Sequence, residues 1–250
     1  MTDNAPRILI VDDEADTCAN LSDIFSELGY AVDTANDGLS ALKLIEANRP
    51  YDVVLLDLRM PGMSGLELYR RIKERSAGTE ALIVTAYASS DTAKSALAAG
   101  ARRVVSKPVN IGHLLGLVQE ALDSPLVLVV DDDQELCDNL WEIFHERGFR
   151  IHLVHDVEDA DRALQQCRFQ VVLLDLKLPG GDGSDVLKLV RTTNPQARTI
   201  IVTGFPNEME SRVQRALAEG AADVVYKPFD VPKLLKAVTE LPGTRQGSQL

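Results

Sequence analysis

The sequence predicts an α/β protein built from two (βα)5 doubly wound parallel sheets in tandem. Two observations carry this prediction. Short apolar runs alternate with helical patterns along most of the chain, and the same series of segments occurs twice. Strands that alternate with helices form parallel sheets with helices on both faces. Five strands and five helices in each half therefore predict one such sheet per half.

The duplication is visible in four pairs of segments. The pairs are ILIVDD at 8–13 and VLVVDD at 127–132, VVLLDLRMPG at 53–62 and VVLLDLKLPG at 171–180, IVT at 83–85 and 201–203, and Lys-Pro at 107–108 and 227–228. The offsets stay between 118 and 120 residues, which indicates duplication of a whole domain and is too long for a solenoid repeat. We predict the first domain over 1–123, the second over 124–241 and a flexible tail over 242–250.

The elements of the first half follow in order. The predicted strands are 8–11, 31–34, 53–56, 82–84 and 104–105, and the predicted helices are 17–27, 39–47, 66–75, 92–99 and 114–122. Apolar residues of the first helix recur at i, i+3, i+4 and i+7, which defines one helical face. Gly29, and Gly148 in the second half, stand where that helix should end. Strands without polar alternation are expected to be buried on both faces.

Composition narrows the classes of function. The net charge is −12 and only 5% of residues are aromatic, which argues against binding to nucleic acid, because that needs a basic surface or aromatic platforms. Three cysteines (Cys18, Cys137 and Cys167) cannot close a disulfide framework, so we expect a reducing, cytoplasmic location. No signal peptide pattern opens the chain, and no apolar run approaches the roughly 20 residues of a membrane helix, so we expect no membrane partner.

Polar side chains follow the predicted strands at the edge of each sheet where doubly wound folds bind ligands. Carboxylates predominate there, with a hydroxyl and an ammonium: Asp12, Asp13, Asp57, Thr85 and Lys107 in the first half, and Asp131, Asp132, Asp175, Thr203 and Lys227 in the second. Carboxylates close together favour a cation, and oxygen ligands in an open cleft suit Mg²⁺. A carboxylate can also attack phosphorus, and an ammonium and a hydroxyl then help to neutralise charge. We predict that the proline after each lysine is cis.

In both halves these residues resemble the receiver domain of two-component response regulators, over about 8–122 and 126–241. The resemblance implies a flavodoxin-like fold in each domain. It implies the following roles: Asp57 and Asp175 as phosphoacceptors; Asp12, Asp13, Asp57, Asp131, Asp132 and Asp175, with the main-chain carbonyls of Arg59 and Lys177, as the Mg²⁺ site; Lys107 and Lys227 as partners of the phosphoryl group; and Thr85 and Thr203 as hydroxyls that close on it.

The resemblance implies phosphorelay signal transduction rather than enzymatic turnover. Each receiver would accept a phosphoryl group from a histidine kinase or a histidine phosphotransfer protein, with Mg²⁺ as the cofactor, and would at most dephosphorylate itself. Output is expected through protein–protein contacts. The face formed by helix 4, strand 5 and helix 5 is a candidate dimer surface.

Other interpretations stay open at this point. The protein could be a binding scaffold or phosphate sink in which only one receiver is active. A phosphatase of the haloacid dehalogenase type needs a second aspartate two residues after its nucleophile, where this chain has Arg59 and Lys177. An acidic residue after a strand is also often only a helix N-cap.

Receivers usually carry an aromatic residue three positions before the strand 5 lysine, where this chain has Val104 and Val224. Tyr226 lies next to Lys227 and should face away from it, because side chains alternate along a strand.

Overall fold

The computed structural model describes residues 5–47, 50–75, 78–86, 90–179, 181–204 and 206–239. The predicted tail, 242–250, and the predicted end of the second domain, 240–241, lie outside the described residues. The chain divides into two compact units, Met1–Ser124 and Pro125–Leu250, which are called unit 1 and unit 2 below. Within the described ranges, none of the helices has the length and apolar character needed to cross a bilayer.

Unit 1 contains a five-stranded parallel sheet with helices between the strands. Its elements are β1 (Arg7–Val11), α1 (Ala15–Glu27), β2 (Ala31–Ala35), α2 (Gly38–Ala47), β3 (Val53–Leu56), α3 (Gly65–Arg75), β4 (Glu80–Thr85), α4 (Ser90–Ala98), β5 (Arg103–Ser106) and α5 (Ile111–Asp123). The strand order is β2-β1-β3-β4-β5. This flavodoxin-like order puts a topological switch point between β1 and β3, where such folds bind ligands.

The elements of unit 2 are β6 (Leu126–Val130), α6 (Gln134–His145), β7 (Arg150–Val154), α7 (Val157–Gln166), β8 (Val171–Leu174), β9 (Lys177–Leu178), β10 (Gly181–Asp182), α8 (Gly183–Thr193), β11 (Arg198–Thr203), α9 (Pro206–Ala218), β12 (Asp223–Tyr226) and α10 (Val231–Thr239). Its five-stranded sheet has the order β7-β6-β8-β11-β12, which repeats the order of unit 1. The predicted fold class is confirmed in both units. The antiparallel pair β9–β10 was not predicted, because two-residue strands leave no periodic pattern.

Apolar side chains cover both faces of the central strands, which confirms the prediction for them, whereas the edge strands β2 and β5 are partly exposed. Every residue of β3 and of β8 is buried. In unit 1, Leu21 and Phe25 of α1 pack with α5 on one face, while α2, α3 and α4 pack on the other. Gly29 and Gly148 follow the first helix of each unit with φ values of 89° and 81°. Only glycine adopts such values at little cost, so both helices end where the sequence predicts.

The two units differ at their edge strands. In unit 1, Asp33 on β2 accepts hydrogen bonds from the Arg7 guanidinium at 2.7 Å and from the Tyr51 hydroxyl at 2.8 Å. The residue of unit 2 that corresponds to Asp33 is His152, which is partly buried and makes an edge-on contact with the Phe169 ring. An ion pair in one unit is therefore replaced by a histidine in an apolar setting in the other.

The lowered pKa of His152 predicts that acid destabilises unit 2. Burial lowers this pKa to about 4, although Asp159 opposes the change. Between that value and the ordinary pKa of about 6.5, the unfolded chain binds a proton that the folded unit does not bind, so stability falls as the pH falls. We expect His152 to account for a loss of about 1 kcal/mol between about pH 7 and about pH 5, after a discount for partial exposure.

Urea unfolding followed by the fluorescence of Trp141, the single tryptophan, measures this loss in unit 2. The contribution of His152 is the difference between the parent protein and His152→Leu, because other groups that titrate are common to both. An equal loss of stability in the two proteins would contradict the prediction.

Candidate functional site

Three strands of unit 1 bring two aspartates and a lysine into contact at the switch-point edge. The Lys107 ammonium lies 2.6 Å from Asp12 Oδ2 and 2.8 Å from Asp57 Oδ2. The two carboxylate side chains are only 5% and 8% exposed. Asp12 follows β1, Asp57 follows β3 and Lys107 follows β5, so the parallel sheet itself assembles the group.

Unit 2 reproduces this arrangement. The Lys227 ammonium lies 2.6 Å from Asp131 Oδ2 and 2.7 Å from Asp175 Oδ2. The peptide bonds Lys107–Pro108 and Lys227–Pro228 are both cis, which confirms that prediction. The same ion-paired group therefore occurs in both units, with nearly identical distances.

A third aspartate completes an acidic trio in each unit. Asp13 and Asp132 are exposed, and each offers a carboxylate oxygen within 4.8 Å of the oxygens of the two buried aspartates beside it. The donor set is oxygen only, one lysine offsets part of three negative charges, and one carboxylate faces solvent. Such a set fits a hard divalent cation that keeps several waters, as Mg²⁺ does.

The main chain after each central aspartate also borders the trio. The Arg59 N–H donates to Asp57 Oδ1 at 3.0 Å, and the Lys177 N–H donates to Asp175 Oδ1 at 3.0 Å. These hydrogen bonds hold one carboxylate oxygen of each central aspartate, while the lysine holds the other. The two residues whose carbonyls the resemblance assigns to the cation therefore lie at the site.

The two threonines end the strands next to the central aspartates. Thr85 is fully buried at the end of β4, and Thr203 is 1% exposed at the end of β11. The Thr203 hydroxyl donates to Asp175 Oδ1 at 3.3 Å. In unit 1 the Lys107 N–H donates to the Thr85 carbonyl at 3.0 Å, so threonine and lysine are held side by side.

The strand beside Thr203, β12, ends in the aromatic residue Tyr226. Tyr226 is the register partner of Thr203. Tyr226 and Val224 pack against one apolar cluster of the sheet, whereas Val225 belongs to the cluster on the other face. Side chains alternate along a strand, so Tyr226 faces away from Lys227, as the sequence predicts.

Burial and pairing shift the pKa values of the site in both units. Burial raises the pKa of Asp12 and of Asp131, and the neighbouring lysine only partly opposes this. Burial alone would lower the pKa of Lys107 and of Lys227. Their hydrogen bonds to two aspartates outweigh it and raise the pKa above the ordinary value. Both lysines are therefore charged at neutral pH.

Each buried first aspartate is also held through its main-chain carbonyl, by residues for which the sequence predicted no contact with the site. The Asp12 carbonyl accepts from Cys18 Sγ at 3.4 Å and from Asn36 Nδ2 at 3.3 Å. The corresponding pair in unit 2 is Cys137, at 3.4 Å, and His155, whose Nδ1 lies 2.9 Å from the Asp131 carbonyl. Asn36 and His155 share the offset of 119 residues but differ in type, so a search for repeated identities passes over them.

The N-cap interpretation is right for only one of the acidic residues after the first strands. The Asp133 side chain accepts from the Leu136 N–H at 3.0 Å and so caps α6. Its counterpart Glu14 makes no side-chain cap and instead lies 3.7 Å from the Lys107 ammonium. The acidic pairs before them serve the two trios and not the helix ends.

A glycine at the start of α3 and of α8 lies directly against the central aspartate. A Cβ added to Gly65 would be 2.0 Å from the Asp57 carbonyl oxygen, and one added to Gly183 would be 2.3 Å from that of Asp175. The atoms in the way are backbone atoms, which cannot rotate aside. Glycine is therefore required for the close approach of helix and aspartate.

We expect Gly183→Ala to lower the free energy of unfolding of unit 2 by about 3 kcal/mol, because the helix must move away from the site. Gly204→Ala is the matched control. Among the described residues, a Cβ on Gly204 meets nothing within 4 Å, so its effect should stay within about 0.5 kcal/mol. Urea unfolding read from Trp141 compares the two, and equal stabilities would contradict the required close approach.

Comparisons with known proteins identify the family of the chain. A family model, the response regulator receiver domain, matches residues 8–119 and 127–239. A response regulator receiver protein from Anaeromyxobacter sp. (strain Fw109-5) is 35% identical over 235 residues, which cover 94% of each chain. Sporulation initiation phosphotransferase F from Bacillus subtilis (strain 168) is 35% identical over 116 residues, which cover 46% of this chain and 93% of that protein.

Among solved structures, the chain is similar to a response regulator receiver domain protein (CheY-like) from Methanospirillum hungatei JF-1. The sequence identity is 35% and the TM-score is 0.46, and the match covers 48% of this chain and 95% of that chain. The chain belongs to the response regulator receiver domain family, because the family model covers most of its length. It carries two such domains, and one lies in each unit.

Proposed function

We propose that the chain acts in phosphorelay signal transduction and accepts phosphoryl groups on Asp57 and Asp175. The observation that carries this proposal is the ion-paired group at the switch-point edge of both units. Each central aspartate has one oxygen held by a main-chain N–H and the other by a lysine. Such an aspartate is oriented and lies beside the charge that phosphoryl transfer needs.

The transfer itself needs only one bond made and one bond broken. A lone pair of the Asp57 carboxylate forms a bond to phosphorus, while the bond from phosphorus to the donor breaks and its electron pair leaves with the donor. The donor is a phosphohistidine or a small acyl phosphate. Lys107 neutralises charge on the phosphoryl oxygens, and the Thr85 hydroxyl donates to them. Lys227 and Thr203 act in the same way around Asp175.

We propose Mg²⁺ as the cation of each acidic trio, on the basis of the oxygen donor set described above. When bound, the ion supplies positive charge that neutralises the phosphoryl oxygens. The residues proposed to hold it are Asp12, Asp13, Asp57 and the Arg59 carbonyl in unit 1, and Asp131, Asp132, Asp175 and the Lys177 carbonyl in unit 2.

A histidine kinase or a histidine phosphotransfer protein is the proposed source of the phosphoryl group. The Bacillus subtilis relative is named a phosphotransferase, and the match to it covers 93% of its length with one domain. That a protein of about one such domain carries this name supports a role in phosphotransfer. The chain itself is proposed to act as a phosphoacceptor and not as an enzyme that turns over a substrate. Output would then pass through contacts with other proteins.

Location and assembly are further parts of the proposal. Cys18 and Cys137 are buried thiols outside any disulfide, which supports a reducing compartment, and we propose the cytoplasm. The face formed by helix 4, strand 5 and helix 5 of a receiver domain is the proposed dimer surface. In unit 1, Leu97 of α4 is 49% exposed, and exposed apolar side chains are candidates for contact.

Intact-mass spectrometry after incubation with Mg²⁺ and acetyl phosphate tests the proposal. We expect two phosphoryl adducts on the parent protein and none when EDTA removes the cation. Adducts that form equally well in EDTA would contradict the proposed cation site. A parent protein that binds Mg²⁺ and never gains an adduct would contradict its role as a phosphoacceptor for this donor.

A further inference from the structure

In each unit, the start of the second helix contacts the loop after the central aspartate. The larger side chain of this contact comes from the loop in unit 1 and from the helix in unit 2. In unit 1, Gly38 opens α2, and a Cβ added to it would lie 2.9 Å from Met63 Cβ. In unit 2, Val157 opens α7 and faces Gly181, where an added Cβ would lie 2.8 Å from Val157 Cγ2. The large residue belongs to the loop in one unit and to the helix in the other.

These are the same two positions of the duplicated domain. Gly38 and Val157 differ by 119 residues, and Met63 and Gly181 differ by 118, as do the segments around them. The helix starts are set in the same way, because an aspartate side chain just before each helix accepts from the N–H three residues on, at 2.8 Å in both units. The contact has therefore been kept while the sizes of its two partners were exchanged.

The loop that this contact holds belongs to the site. It runs from Asp57 to Gly65 in unit 1, and it includes Arg59, whose N–H holds the Asp57 carboxylate. Met63 is 8% exposed and packs in the same apolar cluster as Met60. At the far end of the loop, the Gly65 N–H donates to the Leu58 carbonyl at 3.0 Å. The loop is thus held by hydrogen bonds at both ends, and the Met63 side chain packs it against Gly38 of α2.

The corresponding loop of unit 2 is anchored from the other side. Lys177 and Leu178 of β9 pair with Asp182 and Gly181 of β10. Gly181 has no side chain to offer, and the contact is supplied by Val157, which packs against the cluster that contains Leu178. The Lys177 N–H meanwhile holds the Asp175 carboxylate, as Arg59 does in unit 1.

We propose that Met63 in unit 1 and Val157 in unit 2 are positioning residues for the cation sites, because each holds the loop that carries the metal-binding carbonyl against the second helix. This inference rests on the proposed function, which assigns the carbonyls of Arg59 and Lys177 to the cation. Substitution of residues that support metal ligands typically lowers the affinity for metal by tenfold or more. The size exchange between the units also supplies a test within the chain itself.

The test transplants the contact of unit 2 into unit 1 and measures Mn²⁺ binding by electron paramagnetic resonance of the free ion. Mn²⁺ prefers the same oxygen ligands as Mg²⁺. The full chain carries Asp132→Asn and Asp175→Asn as background, so that binding reports unit 1. We expect Met63→Gly to weaken binding by about tenfold, and Gly38→Val, which clashes with Met63, to weaken it as well.

The double exchange, Gly38→Val with Met63→Gly, should restore binding to within about twofold of the background protein. Ile45→Ala is the matched control. It removes apolar packing from the same helix and the same cluster, so it should lower the Tm and leave Mn²⁺ affinity within about twofold. Met63→Ala keeps a Cβ and should give an intermediate loss of about threefold, in case the glycine variant does not fold.

A weakening by Met63→Gly or Met63→Ala no larger than that of Ile45→Ala would overturn the positioning role. A folded double exchange that fails to recover affinity would also overturn it. If the background protein itself binds no Mn²⁺ at unit 1, the proposed cation site fails, and the positioning role that rests on it fails too. Binding in the background protein without recovery in the exchange overturns the inference alone.

Discussion

Asp57→Asn removes one of the two phosphoryl adducts, Asp175→Asn removes the other, and the double variant gains none. We expect this result because an amide lacks the nucleophilic carboxylate that forms the bond to phosphorus. Asparagine keeps the shape of the side chain, and its carbonyl oxygen can still accept from the lysine that binds each aspartate. The loss should therefore be chemical and not a consequence of unfolding.

Intact-mass spectrometry with Mg²⁺ and acetyl phosphate measures the adducts in all four proteins. Asp185→Asn is the matched control, since this exposed aspartate pairs with Lys188 on the surface of α8, and it should keep both adducts. Two adducts on either single variant would show that another residue accepts the phosphoryl group. One adduct on the parent, lost in only one of the variants, would favour the scaffold in which a single receiver is active.

Loss of the site lysine has the second large effect, on stability. Lys227 is the counter-charge of Asp131 and Asp175, whose side chains are only 3% and 9% exposed. Lys227→Met leaves two buried carboxylates without their counter-charge. Removing one partner of a buried ion pair costs about 3 kcal/mol. We expect the free energy of unfolding of unit 2 to fall by that amount in EDTA. Saturating Mg²⁺ should recover part of the loss, because the ion binds the folded site only.

Urea unfolding followed by Trp141 fluorescence measures this effect in unit 2. Lys188→Met provides the control, because Lys188 is 64% exposed in its ion pair with Asp185, and such surface pairs add little to stability. The unfolding midpoint of the control should match the parent. A Lys227→Met protein as stable as the parent in EDTA would show that the buried carboxylates do not depend on this ammonium.

Much of the fold follows from local patterns in the sequence. Apolar runs such as 53–56 and 171–174 are long enough to define buried strands. Gly29 and Gly148 mark helix ends, because the backbone there takes a positive φ that favours glycine. The aspartates and lysines at strand ends also come together as predicted, because a parallel sheet gathers its carboxyl ends at one edge. Duplication strengthens each of these signals, since every pattern is seen twice.

The parts that escaped prediction are long-range contacts without a local pattern. Gly38 lies against Met63 in unit 1, and Val157 lies against Gly181 in unit 2, so the larger residue changes sides between the units. These contacts become visible only when the loop and the helix are seen together. The same holds for Asn36, whose amide reaches a carbonyl 24 residues away in the chain. A comparison of the two halves position by position, including positions that differ, is the sequence signal that could have found them.

Trapping the acyl phosphate at its attachment point is the most direct test of the proposed phosphoacceptors. Borohydride reduces an aspartyl phosphate to homoserine, and peptide mapping by tandem mass spectrometry then locates the changed residue. After incubation with Mg²⁺ and acetyl phosphate, we predict homoserine at positions 57 and 175 and at no other aspartate. Homoserine at a different position, or a phosphoryl group found on a histidine, would contradict the assignment of Asp57 and Asp175.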